Sequence, residues 1–241
     1  MHLNCTPLYK GNKPKFQDGF KHAEDEYNQN ENAKIDGNTP FHLACKNGHS
    51  KIAKLLIEEL CVRELHLGRP DFEKKDERVS KAFYLACQNG HSEIAKMFIE
   101  KFEELNLNLN AQHQSNDQDD GKTAFHFACE NGHLKIVDLF MQNSMALKID
   151  LNAVDAADFI DSDGESDIVG GKSAFHYACE NGHKEIVEMF LKNSFELDIN
   201  LNERDEEGLT PFHLACINGH LEIVLVFLNR ADEQNIGKLK F

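Results

Sequence analysis

Five cysteines each have a histidine four residues downstream: Cys45 and His49, Cys87 and His91, Cys129 and His133, Cys179 and His183, Cys216 and His220. Thiolate and imidazole are the ligands of structural zinc, and seven Cys with thirteen His would supply enough of them. The spacing argues otherwise. A zinc site needs about four ligands converging on one point, whereas these pairs recur at intervals of 42, 42, 50 and 37 residues. Each pair therefore occupies the same place in a separate copy of one unit. Packed helices stand roughly 8–10 Å apart, which keeps equivalent cysteines from sharing a metal and exceeds the roughly 7 Å Cα limit for a disulfide. The expectation is small buried thiols that stay reduced, with no metal and no cofactor. An odd number of reduced cysteines also fits a cytoplasmic or nuclear home.

Other chemistry is weaker still. The run Asp161-Ser-Asp163-Gly-Glu165-Ser-Asp167 has the oxygens of a calcium loop, but its Gly is at the fourth position instead of the sixth, and Lys172 stands at the twelfth. No phosphate-binding glycine loop, nucleophile elbow or zinc-protease motif is present. Catalysis needs one asymmetric cluster, and nine of the thirteen histidines recur evenly. No enzymatic activity is expected.

The elements that carry these residues are repeats. Thr39-Pro-Phe-His-Leu-Ala-Cys-Lys-Asn-Gly-His49 aligns without gaps with the segments that start at Lys81, Thr123, Ser173 and Thr210. Thr39 and Thr210 suit a helix N-cap, and Pro40 and Pro211 the first helical position, where a missing N–H costs nothing. An apolar stripe of about two turns follows, then Asn-Gly, the chemistry of a left-handed C-cap. A second helix begins after the histidine: Ile186, Val187, Met189, Phe190 and Leu191 form one broad apolar face. Short arms at 105–110, 149–152 and 199–202 lead to Asp- and Gly-rich turns. One helix pair cannot bury its apolar face alone, but a stack of them can.

The pattern Gly-x-Thr-Pro-Phe-His-Leu-Ala-Cys-x-Asn-Gly-His-x-x-Ile resembles the ankyrin repeat, whose signature is Thr-Pro-Leu-His-x-Ala over 33 residues. The likeness covers about 34–230, with repeats near 37–78, 79–120, 121–170, 171–207 and 208–230, an N-terminal leader or decayed repeat at 1–33, and a tail at 231–241. It departs from the family in carrying Phe for the usual Leu, and in its second unit, where Val79, Lys81 and Tyr84 replace Gly, Thr and His. The resemblance implies an all-α solenoid of helix–turn–helix units joined by short hairpin-like loops. It also implies that the histidines of the first helices tie neighbouring turns together. Asn110, Asn152 and Asn202 match a position that some ankyrin repeats have hydroxylated. As function it implies a non-enzymatic scaffold or adaptor that holds a protein on its concave surface. The alternatives are a targeting domain of a larger enzyme or channel, or an inhibitor masking a basic segment of a transcription factor. Carried over residue by residue, the partner-binding positions are Asn38, Lys46, Gln88, Asp119, Asp120, Lys122, Glu130, Lys172, Glu180, Glu206 and Glu207. Of these, Glu130, Glu180 and Glu206 are expected to be exposed.

Charge narrows the partner. A net charge of −15 offers no basic footprint for direct nucleic-acid binding, but it favours a basic protein segment. Two acidic insertions, 112–120 and 154–170, read as solvated loops, the alternative being a docking loop for a basic partner. No apolar run approaches the roughly 18 residues of a membrane span, and 1–16 has no apolar core of a secretory signal. The last unit carries Ile217 and Leu225 where the others are polar or charged, so its end is expected to meet something: further native sequence, the tail Lys238–Phe241 or a second copy of the chain.

Overall fold

The computed structural model describes residues 38–64, 72–113, 121–155, 158–160, 166–168 and 170–234. The chain divides into two compact units, Met1–Thr39 and Pro40–Phe241. The leader expected at 1–33 and the tail beyond Gln234 lie outside the described residues.

The second unit has ten described helices in five pairs: α1 (Pro40–Lys46) with α2 (Ser50–Glu64), α3 (Phe72–Gln88) with α4 (Ser92–Glu100), α5 (Ala124–Glu130) with α6 (Leu134–Leu147), α7 (Ala174–Glu180) with α8 (Lys184–Asn193), and α9 (Pro211–Ile217) with α10 (Leu221–Gln234). First helices pack on first helices, and second helices on second, from each pair to the next. Each pair bears one copy of the motif. The stack itself is thus the helical, ankyrin-type solenoid that the resemblance implies, its helix pairs carrying most of the core. One short antiparallel strand pair, β1 (Asp158–Ile160) and β2 (Ser166–Ile168), lies in the larger insertion.

The cause of the motif's phenylalanines is visible in the core. Phe41, Phe83, Phe125, Phe175 and Phe212 on the first helices alternate with Phe98, Phe140, Phe190 and Phe227 on the second. They form an unbroken zigzag of rings with centroids 4.8–6.0 Å apart. Aromatic pairs at this spacing add about 0.5–1.5 kcal/mol each beyond the area they bury. A Leu in either row would interrupt the series, so the departure from the usual residue builds a spine through all five pairs.

The arms between pairs are anchored, not loose. Leu105, Leu107, Leu109, Ile149, Leu151 and Ile199 are buried beneath them. Asn106, Lys148 and Asp198, one at the head of each arm, take left-handed backbone at φ 50–54°, which turns the chain out of the second helix.

The insertion at 154–170 corrects the solvated-loop reading at its first carboxylate. Asp155 is buried; its Oδ1 accepts the backbone N–H of Lys172 at 2.7 Å, and its other oxygen accepts the Tyr177 hydroxyl. Asp205 acts in the same way in the next unit, accepting the N–H of Leu209 at 2.7 Å.

Candidate protein-binding face

The first helices are fixed by their own caps. Thr123, Ser173 and Thr210 form reciprocal capping boxes with His126, His176 and His213. Here histidine takes the place usually held by Glu or Gln. Each Nδ1 accepts the backbone N–H of the cap residue at 3.0–3.1 Å, which leaves the proton on Nε2. From there His126 reaches the carbonyl of Lys172 at 3.2 Å, and His176 that of Leu209 at 3.3 Å. Likewise His42 Nε2 lies 2.9 Å from the carbonyl of Arg78. These bonds tie the first turn to the second, the third to the fourth and the fourth to the fifth, as the resemblance implies. Burial holds His126 neutral, pushing its pKa down to about 4, and lowers that of His176 too.

A second histidine series runs the other way. The Nε2 atoms of His91, His133, His183 and His220 lie 2.7–2.8 Å from the carbonyls of Lys46, Gln88, Glu130 and Glu180, the last residues of the preceding first helices. The two series hold the face of the first helices from both ends.

Across that face run two ionic rungs. Lys122 Nζ is 2.9 Å from Glu130, and Lys172 Nζ is 2.9 Å from Glu180. The Tyr177 ring lies between them, with Lys122 Nζ 4.7 Å and Lys172 Nζ 5.8 Å from its centroid. Burial and the neighbouring Asp155 carboxylate raise the Tyr177 pKa, so its hydroxyl remains a donor. The motif alignment does not reveal the rungs, although the sequence carries their signal. A Lys eight residues before a Glu occurs at the same register in two successive units, where others have Asn38 and Lys46, Ser80 and Gln88, or Leu209 and Ile217.

The expected site residues fall into three groups. Lys46, Glu206 and Glu207 are exposed; Gln88, Glu130, Lys172 and Glu180 are half-buried; Asn38 and Lys122 are buried. Asp119 and Asp120 lie outside the described residues. The expectation that Glu130 and Glu180 are exposed is thereby corrected, because each is drawn down onto its lysine. Glu206 is exposed as expected, and its backbone N–H donates to the carbonyl of Gly170 at 3.2 Å. The rungs and the acidic turn are therefore contiguous across the third to fifth pairs.

At the edge of the stack the arms are joined by asparagine. The Asn110 amide donates to the carbonyl of Lys148 at 2.9 Å and accepts from the N–H of Asp150 at 2.8 Å. Asn152 repeats both bonds on Asp198 and Asn200. The second pair, with Tyr84 in the histidine position, is tied differently: the Tyr84 hydroxyl donates to the carbonyl of Ala111. A cavity of about 840 Å³ opens there, lined by Lys81, Tyr84, Phe102, Asn106 and His113 among others.

The motif cysteines of the first four pairs are free and buried, and burial pushes the Cys45 thiol up to about 12. Cys216 is free and exposed, which corrects the expectation of burial at the fifth motif position: among the described residues no later helix pair packs over it. Among the described residues no three His, Cys, Asp or Glu side chains converge as they would on a metal ion. Among them, too, no helix is long and apolar enough to cross a membrane.

The family model described as ankyrin repeats (3 copies) matches residues 20–108, 58–155 and 156–237. The chain belongs to the ankyrin-repeat family, whose members are in general protein–protein interaction modules. No curated protein matches it.

Proposed function

We propose that this chain is a non-enzymatic scaffold that holds a basic segment of a protein partner on the first-helix face of its third to fifth pairs. One observation carries the reading. The rungs Lys122–Glu130 and Lys172–Glu180 lead directly into the exposed carboxylates Glu206 and Glu207. The paired lysines are neutralised by their own glutamates, so the field met by an approaching partner is that of the acidic turn. A net charge of −15 adds to it and opposes direct contact with nucleic acid. Free thiols, buried at four of the five motif positions, suit work in the cytoplasm or nucleus.

The test is a binding titration with fluorescent peptides rich in Lys and Arg, beside sequence-matched acidic controls. Basic peptides should bind, and the affinity should fall as salt rises. Glu206→Lys with Glu207→Lys should weaken that binding about tenfold or more at low salt, for a loss of about 1.4 kcal/mol or more. Equal binding by the double variant would move the site off this face.

A further inference from the structure

The four described junctions between helix pairs repeat one set of contacts, and among the described residues the two ends of the stack carry its two unmated halves. At each internal junction the later pair contributes its histidine and the Ile three residues on. Ile94, Ile136, Ile186 and Ile223 are at most 1% exposed, yet Ile52 in the first pair is 52% exposed. The neighbouring Leu55 is 67% exposed. The earlier pair contributes its motif cysteine and the residue eight positions after its histidine. Cys45, Cys87, Cys129 and Cys179 are fully buried, but Cys216 is exposed. Ile57, Ile99, Met141 and Leu191 are 1–4% exposed, but Leu228 is 43% exposed.

The polar half of the contact divides in the same way. His91, His133, His183 and His220 each lie over the Gly of the preceding pair, within 2.6–2.8 Å of where a Cβ on that Gly would stand. A Cβ on Gly219 would meet nothing within 4 Å. His49 is exposed and has no such carbonyl among the described residues. The last pair also carries exposed Ile217, Leu221 and Leu225. Terminal repeats of soluble stacks normally turn a polar face outward, and neither of these ends does.

We infer that a second copy of this chain stacks head to tail on the first, with His49, Ile52 and Leu55 of one copy seated on Gly219, Cys216 and Leu228 of the other. The His49 imidazole would then donate to the Ile217 carbonyl, as its four counterparts do to theirs. What selects a second copy is that each end carries the complement of the other, in the register already used four times inside the chain. Such a contact is heterologous, so it leaves a free end on each side and propagates instead of closing at a dimer.

Sedimentation velocity on the full chain, from low micromolar to several hundred micromolar, tests this. The wild type should form species that lengthen with concentration. Ile52→Glu and Leu228→Glu should each remain monomeric, since each spoils one face. Their equimolar mixture should give a dimer that does not grow, because one good face of each kind remains. Both substitutions fall on exposed side chains, and melting curves check that the variants stay folded. A readout without any variant is the alkylation of Cys216 by N-ethylmaleimide, resolved by peptide mass spectrometry. It should slow about fivefold or more across the same concentration range as stacking buries the thiol.

A wild type that stays monomeric with Cys216 equally reactive throughout would overturn the proposal, whether the faces are bare or covered by the chain's own segments. Assembly that survives Ile52→Glu would overturn it in favour of two C-terminal faces meeting about a two-fold axis.

Discussion

The imidazole of His183 lies over Gly132 of the preceding pair, its ring 2.7 Å from where a Cβ would project, and its Nε2 is 2.8 Å from the carbonyl of Glu130. Gly132 is therefore required twice, once for a backbone at φ +74° and once for the space the ring fills. Gly219 has nearly the same backbone, φ +71°, with that space open.

Comparing the two glycines separates the requirements. Gly219→Ala should cost only the strain of a left-handed non-glycine residue, about 1–2 kcal/mol. Gly132→Ala adds displacement of the His183 ring and loss of its hydrogen bond, about another 1 kcal/mol or more. Urea melts of both variants at low micromolar concentration measure the difference. Equal losses would mean that the ring gives way without cost.

The ionic rungs predict an asymmetry between acidic residues on one face. Lys122 is only 8% exposed, so Glu130→Lys leaves a buried cation facing a second one. Breaking a buried pair costs about 3–5 kcal/mol, and the partial exposure of Glu130 puts this case at the lower end. Glu206→Lys, on an exposed turn, should stay within about 0.5 kcal/mol of wild type. Thermal melts distinguish the two, and a neutral Glu130→Lys would show that solvent already screens the rung.

How much of this is legible in the chain depends on whether a feature repeats. The helix pairs, the caps and the motif cysteines recur in the same register, so aligning the units exposes them. The Lys–Glu rungs occur twice and need a comparison eight residues apart, across a helix whose cap and last turn meet only once it is folded. Asp155 groups by composition with the acidic residues after it. Register tells a different story: it stands three residues after Asn152, as Asp205 stands three after Asn202. Its burial depends on Lys172 and Tyr177, which the insertion separates from it by 17 and 22 residues. No local pattern announces that contact.

Acid should weaken the stack through His126. Its folded pKa, about 4, lies below the ordinary value of 6.5 because burial disfavours the cation. Between those values the unfolded chain binds the extra proton, so stability is complete above about pH 6.5 and is lost as pH falls toward 4. The shift corresponds to about 3 kcal/mol. Gln can occupy the same capping position, so His126→Gln should keep the helix cap and remove most of this slope. Chemical melts at pH 7, 5.5 and 4.5 on both proteins measure it. An unchanged slope in the variant would assign the acid sensitivity to other groups.

Asn152 offers the sharpest test of the arm contacts, because its amide is used at both ends on one backbone. Its Nδ2 donates to the carbonyl of Asp198 at 2.9 Å, and its Oδ1 accepts the N–H of Asn200 at 2.9 Å. Asn152→Ala forfeits both bonds and should cost about 1–2 kcal/mol, the freed backbone groups being near enough to solvent to rehydrate. Asn152→Asp keeps the acceptor but sets a carboxylate against the Asp198 carbonyl, where a donor is needed. It should therefore lose at least as much as Ala at neutral pH, and regain some of it below the carboxylate pKa, where the protonated acid can donate again. A purely steric role would rank the two differently, with the isosteric Asp close to wild type at every pH. Hydrogen exchange at the Asn200 amide adds a local readout: protection should fall in the Ala variant and persist in the Asp variant, whose Oδ1 still accepts from it.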